Sequence, residues 1–249
     1  MAKPLIAGNW KMHGSAASAT ALASHLAQHW NASATPQMVV FPPFLHLADV
    51  KRALSGSDIA LGAQNLSQYA NGAYTGEVSA QMLRDLGCDY VLVGHSERRA
   101  VFAESNETVA EKFVAAQGCG LMPILCVGET LQQRQQQKTL QVVAQQIAAV
   151  VERAGQENVC RAVIAYEPVW AIGKGETASP EQAQQVHRAI RAQLGDAGKT
   201  TTLLYGGSVK AENAADLFIQ PDIDGGLVGG ASLEAQEFLN IAQQLIEQD

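Results

Sequence analysis

Eight short apolar runs, separated by stretches with a helical period, constrain this chain more than any other feature. The runs are Leu5–Gly8, Met38–Phe41, Ile59–Ala63, Tyr90–Val93, Met122–Val127, Ala162–Tyr166, Thr202–Tyr205 and Gly226–Val228. They are rich in Val, Ile and Leu and mostly do not alternate, as strands buried on both faces should be. Between them, Ala19, Leu22, Ala23 and Leu26 mark one helical face. Leu140, Val143, Ala144, Ile147, Val150 and Val151 mark another, at i, i+3, i+4, i+7 spacing. Ser179-Pro180-Glu181-Gln182 reads as an N-cap serine, an N1 proline and a capping-box glutamine. Ala183, Val186, Ile190 and Leu194 then line the apolar side of that helix. Strand–helix alternation on this scale predicts an α/β fold with a parallel sheet and helical crossovers. Eight such units in 249 residues fit a closed barrel better than an open doubly wound sheet. No linker or composition break divides the chain, so a single (β/α)8 barrel is expected over residues 1–249. The glutamine tract Gln132–Gln137 reads as the solvated face of a long helix.

Composition narrows the function classes. Hydrophobic residues make up 47 % of the chain, enough for a large core and too many for a disordered one. The formal net charge of −7 argues against nucleic-acid binding, which needs a basic stripe. An anionic small substrate remains compatible if its site is locally positive. Cys88, Cys119, Cys126 and Cys160 form no C-x-x-C pair or Cys/His cluster, so they indicate neither structural zinc nor a redox dithiol. They read as small buried hydrophobes in a reducing compartment. The first residues lack a signal-peptide apolar region, and no apolar run approaches the ~20 residues that span a bilayer. The expectation is a cytoplasmic protein with no membrane partner.

In parallel barrels the reactive groups sit at the C-terminal ends of the strands. The first run ends in Asn9-Trp10-Lys11 and the fourth in Gly94-His95-Ser96-Glu97. The sixth delivers Glu167 and stops at Pro168, which has no N–H for the sheet ladder. The seventh and eighth end in Gly206-Gly207-Ser208 and Gly229-Gly230. Glycine turns after the last two strands are a common phosphate site in such barrels. Taken singly each signal is weak; a lysine, a histidine, a carboxylate and two glycine pairs on one rim are together a strong one. The segment Gln64 to Ser79, with Tyr69 and Tyr74, is too long for an ordinary barrel turn. Its tyrosines suggest packing against something, such as a second subunit.

The chain resembles the triosephosphate isomerase family. The motifs that carry the likeness are Ala7-Gly-Asn-Trp-Lys-Met12, Asn71-Gly-Ala-Tyr-Thr-Gly-Glu77, Gly94-His-Ser-Glu-Arg-Arg99 and Leu125-Cys-Val-Gly-Glu129, followed by Ala165-Tyr-Glu-Pro-Val-Trp-Ala-Ile-Gly173, Tyr205-Gly-Gly-Ser-Val209 and Val228-Gly-Gly-Ala-Ser232. They cover the whole chain in order. The resemblance implies interconversion of dihydroxyacetone phosphate and D-glyceraldehyde 3-phosphate through an enediolate, with no cofactor and no metal. It implies Glu167 as the base and His95 as the electrophile, and it has Lys11 and Asn9 hold the substrate oxygens. Gly173, Ser208, Gly229 and Gly230 would bind the phosphate, while Ser96 and Glu97 support the site and Glu97 positions Lys11. A neutral His95 at a helix start is the behaviour already known for this family. The loop 168–178 would close over the substrate, with Trp170 packed at its hinge. The loop after the third strand, with Thr75, would reach across a homodimer interface.

One departure stands out. The family's loop tip usually reads Gly-Thr-Gly, whereas here it reads Gly173-Lys174-Gly175-Glu176. Lys174 is expected to shift the balance between open and closed loop, because its charge would lie near the bound phosphate. Two other chemistries on such a barrel are a Schiff-base aldolase, with Lys11 as nucleophile, and a metal-dependent epimerase. A catalytically silent barrel is the third alternative.

Overall fold

A computed structural model describes residues 2–30, 36–172 and 177–246. Eight parallel strands close on themselves in sequence order: β1 Leu5–Asn9, β2 Gln37–Phe41, β3 Ala60–Ala63, β4 Tyr90–Val93, β5 Met122–Val127, β6 Val163–Tyr166, β7 Thr202–Tyr205 and β8 Gly225–Val228. β1 pairs with both β2 and β8, which removes the free edge. At least one helix follows every strand, so the architecture is the expected (β/α)8 barrel. Each strand lies within one residue of the run read from sequence.

The strands are apolar throughout because both of their faces are buried in different layers. Leu5, Ala7, Val39, Phe41, Leu92, Ile124, Cys126, Val163, Ala165, Leu204 and Leu227 form a cluster made only of strand residues, which fills the barrel. Their alternates, such as Ile6, Val40, Val91, Leu125, Ile164 and Leu203, pack instead with helix residues including Ala23, Val143 and Ile190. This period-two division sets the direction of every side chain that continues a strand.

The helix Pro180–Leu194 begins as its sequence promised. Ser179 accepts from the Gln182 N–H, Gln182 returns a bond to the Ser179 N–H, and Pro180 occupies the first turn. The glutamine tract differs from expectation. Leu131–Gln135 is a single short turn of helix, separate from the long helix Thr139–Ala154. Gln137 takes a left-handed φ of 57°, and the Lys138 N–H bonds back to the Gln133 carbonyl, so the chain turns between the two.

Candidate active site

β1 and β6 carry their inward phase up to the C-terminal mouth of the barrel. Leu5 and Ala7 point into the barrel, Asn9 continues that phase at the C-terminal mouth, and Lys11 follows it at a left-handed φ of 50°. Val163 and Ala165 point inward, and Glu167 is next in step. Glu167 is 2 % exposed. Its N–H is tied to the Val127 carbonyl at 2.8 Å. Gly128 lets the neighbouring strand pass: a Cβ there would lie 1.8 Å from the Glu167 carbonyl oxygen.

β4 delivers its histidine differently. Gly94 turns the chain at φ +71°, and His95 becomes the N-cap of the helix Ser96–Val101. The His95 Nδ1 accepts the Glu97 N–H at 3.2 Å, so the ring proton sits on Nε2. That nitrogen stands 3.0 Å from the Glu167 Oε1. Asn9 Nδ2 lies 3.3 Å from the same nitrogen. Both are donors in this tautomer, so the Asn9 amide has an N–H to offer to the cleft that it lines. Its Oδ1 is already taken by the Lys11 N–H at 3.0 Å.

Ser96 anchors the carboxylate twice, through its N–H to Oε2 at 2.9 Å and its Oγ to Oε1 at 3.0 Å. Cys126 lies against it from β5. Burial first, then the negative charge of Glu167, push this thiol well above its usual range, so it serves as inert packing. Lys11 donates to the Glu97 Oε1 at 2.6 Å. Burial alone would raise the Glu97 carboxyl, but the hydrogen bond from Lys11 first, then the positive charge that His95, Lys11 and His13 can bring, outweigh it and hold that group below the ordinary carboxylate range.

Asn9, Lys11, His95, Glu167, Ser208, Gly229 and Gly230 line one cleft of about 280 Å³. Gly173, expected with them, lies outside the described residues, as do Lys174 and Glu176. The glycine turns admit their neighbours: a Cβ on Gly206 would press on the Glu167 Cγ at 2.9 Å, and one on Gly229 would meet the Lys11 Cε at 3.2 Å. Among the described residues, no group of three or more His, Cys, Asp and Glu side chains is arranged to hold a metal ion.

The triosephosphate isomerase family model matches residues 4–245. The chain belongs to the triosephosphate isomerase family. A triosephosphate isomerase of Nitrosococcus oceani is 54 % identical to it over 247 residues, covering 98 % of this chain and 99 % of that protein. The one from Thiobacillus denitrificans is 57 % identical over 247 residues, 98 % of each. A Pseudomonas aeruginosa triosephosphate isomerase is 55 % identical over 243 residues, 96 % of each.

Within this triosephosphate isomerase fold, three features escaped the sequence. Gln64 donates from Nε2 to the carbonyls of both Lys11 and Phe41, each at 2.8 Å. Glu129, fully buried, accepts from the Trp170 indole at 2.9 Å and the Tyr166 hydroxyl at 3.0 Å. Arg134 lies over the Trp170 ring at 4.1 Å. Trp170 is thus held at the start of the 168–178 loop by a hydrogen bond and a cation–π contact, not by ring packing alone. Ile172 and Leu227 add apolar wall to the cleft. The family motif Leu125–Glu129 pointed at the Cys126 and Glu129 positions without revealing what they do.

Proposed function

We propose that this protein interconverts dihydroxyacetone phosphate and D-glyceraldehyde 3-phosphate by moving one proton between adjacent carbons through an enediolate. The observation that carries the reading is the Glu167–His95 pair, a buried carboxylate beside an imidazole that offers an N–H to the same cleft. Glu167 takes the proton from carbon. To do so it leaves Ser96, whose two bonds occupy both of its oxygens in the resting arrangement. His95 donates from Nε2 to the substrate carbonyl oxygen and takes back the proton of the neighbouring hydroxyl, so that proton passes from one oxygen to the other while Glu167 carries its own between the carbons; Nδ1, pinned by the helix start, keeps the ring aimed. Asn9 Nδ2 and Lys11 Nζ offset charge on the developing oxyanion, the role in which a lost donor typically costs about 2.7–4 kcal/mol. Glu97 positions Lys11. Ser208, Gly229 and Gly230, with Gly173, hold the phosphate, and closure of the 168–178 loop keeps water from the enediolate.

An aldolase would need Lys11 as a free amine in an apolar pocket; here its Nζ donates to Glu97. The reading places the enzyme in the cytoplasm, acting in glycolysis and gluconeogenesis on a triose phosphate without a cofactor. No described helix is long and apolar enough to cross a membrane.

A homodimer through the 64–79 loop belongs to the same proposal. Large apolar side chains are exposed after four consecutive strands: Met12 after β1, Leu45 after β2, Tyr69, Tyr74 and Met82 after β3, and Phe102 after β4. Met12 and Leu45 are 92 % and 89 % exposed, which marks this side of the mouth for covering. Tyr69 and Tyr74 stack face to face with centroids 4.1 Å apart, giving the loop a rigid tip.

The test is a coupled assay on glyceraldehyde 3-phosphate with the parent and Glu167→Gln. The parent turns over, and the variant loses about 10²–10⁴-fold in kcat, the usual worth of a positioned base. An inactive parent, or a variant within a few-fold of it, overturns the assignment.

A further inference from the structure

Behind Glu167 lies a second cavity, of about 360 Å³, between the segments that follow β4 and β5. Ser96 and Glu167 form part of its wall, so it backs onto the substrate cleft. Arg99, Glu104, Asn106 and Thr130 also line it.

Arg99 is the unusual member. Its neighbour Arg98 pairs with Glu104 at 2.6 Å, and Lys112 pairs with the same carboxylate at 2.5 Å. Among the described residues no carboxylate pairs with Arg99. Its partners are all neutral: the Gly94 carbonyl at 2.8 Å, the Asn106 Oδ1 at 2.7 Å and the Cys126 carbonyl at 3.3 Å. A guanidinium carries five N–H donors, and among the described residues these bonds engage three of them. Burial is the largest influence on this group and holds it below the usual arginine range; the more distant charges of Glu167 and Glu104 do not reverse that. Asn106 also opens the thirteen-residue helix Asn106–Gly118, whose positive end faces the same space.

A part-buried cation with spare donors, neutral partners and an open cavity beside it is a site for an anion. The walls limit which one. Glu104 and Glu167 both border the cavity, so a dianion would meet two like charges. A single carboxylate matches the guanidinium in shape and in charge.

We propose that this cavity is a second ligand site, distinct from the substrate cleft, that takes a small monocarboxylate on Arg99. The carboxylate does here what an acidic side chain at position 106 would do covalently. The site is chemically separate from the phosphate cradle, because neither Ser208 nor Gly230 touches it.

Saturation-transfer NMR with acetate tests this on the full-length protein as it assembles in solution. The parent shows a saturable acetate signal in the millimolar range. Asn106→Asp, which is nearly isosteric, gives Arg99 a resident carboxylate and weakens acetate at least tenfold, while its own melting temperature in acetate-free buffer holds or rises. Ser208→Asp, which repels anions from the substrate cleft, leaves the acetate signal intact. Acetate binding unchanged in Asn106→Asp, or lost in Ser208→Asp, or absent from the parent, overturns the proposal. None of these readouts is an isomerase rate, so they stand or fall separately from the catalytic assignment.

Discussion

Lys11 holds a left-handed φ of 50°, a conformation that side chains with a Cβ adopt at a cost of about 1–2 kcal/mol. Three bonds fix it there: its N–H to the Asn9 Oδ1, its Nζ to Glu97 and its carbonyl to the Gln64 Nε2. The strain aims the ammonium at the cleft instead of along the strand. Gln64, like Glu97, lies outside the lining of the cleft. Gln64→Leu keeps most of the volume but strips donors from two carbonyls, so it destabilises the fold by about 1–3 kcal/mol in urea titration. It also loosens Lys11, and KM rises by a larger factor than kcat falls. A variant with parental KM would show that Lys11 keeps its pose without Gln64. This residue also marks where sequence reading stopped. Asn9, Lys11 and Glu167 were legible because each lies at or just past the end of an apolar run, where parallel barrels present their reactive groups. Gln64 acts on backbone atoms 53 and 23 positions away, and its own residue type carries no mark of that.

At the scale of elements, the strands and capped helices were readable because their signals are local. The Ser179 box and Pro180 name a helix start by themselves, and a break in apolar period ends a strand. The turn inside the glutamine tract was not readable, since an all-polar run shows no change of period when φ reverses at Gln137. The division of strand residues between barrel interior and helix layer was hidden for a related reason: both layers are apolar, so the sequence does not alternate. The helix Pro180–Leu194 carries one buried polar group that binds these layers to pH. His187 is fully buried, donates from Nδ1 to the Ala183 carbonyl at 2.8 Å and meets the Tyr166 ring edge-on. Burial holds its pKa below the ordinary 6.5. Below pH 6.5 the unfolded chain therefore binds a proton there that the folded chain does not, and stability falls as pH falls. One proton limits this slope to about 1.4 kcal/mol per pH unit. Urea midpoints taken from pH 7.5 down to about 5 give the slope directly. His187→Gln is less stable at neutral pH but has a shallower slope in that window; an equal slope would assign the acid sensitivity to other groups.

For the whole molecule, closure of the barrel and the asymmetry of its mouth have different consequences. Closure places Asn9, His95 and Glu167 on one rim although they come from strands far apart in the chain, and it leaves no sheet edge to pair with another copy. The proposed pairing of two copies would therefore use the loops. The loops after β1 to β4 carry the exposed apolar side chains, while among the described residues those after β5 to β8 expose only Leu131, Leu140 and Ile219. A one-sided patch of this kind suits an isologous pair, in which the same surface serves both partners. Met12 sits in that patch directly beside the strained Lys11, so covering it restrains the backbone that aims the ammonium. The parent should therefore scatter light with twice the 26.4 kDa mass of the chain. Met12→Glu puts a charge where apolar surface has to be buried, and it should give the mass of a single chain. Because Lys11 loses its restraint, kcat/KM should fall in the same variant even at saturating stability, and raising protein concentration should restore mass and activity together. If the parent scatters as a single chain and is fully active, the patch is unpartnered and Lys11 is held by Asn9, Gln64 and Glu97 alone.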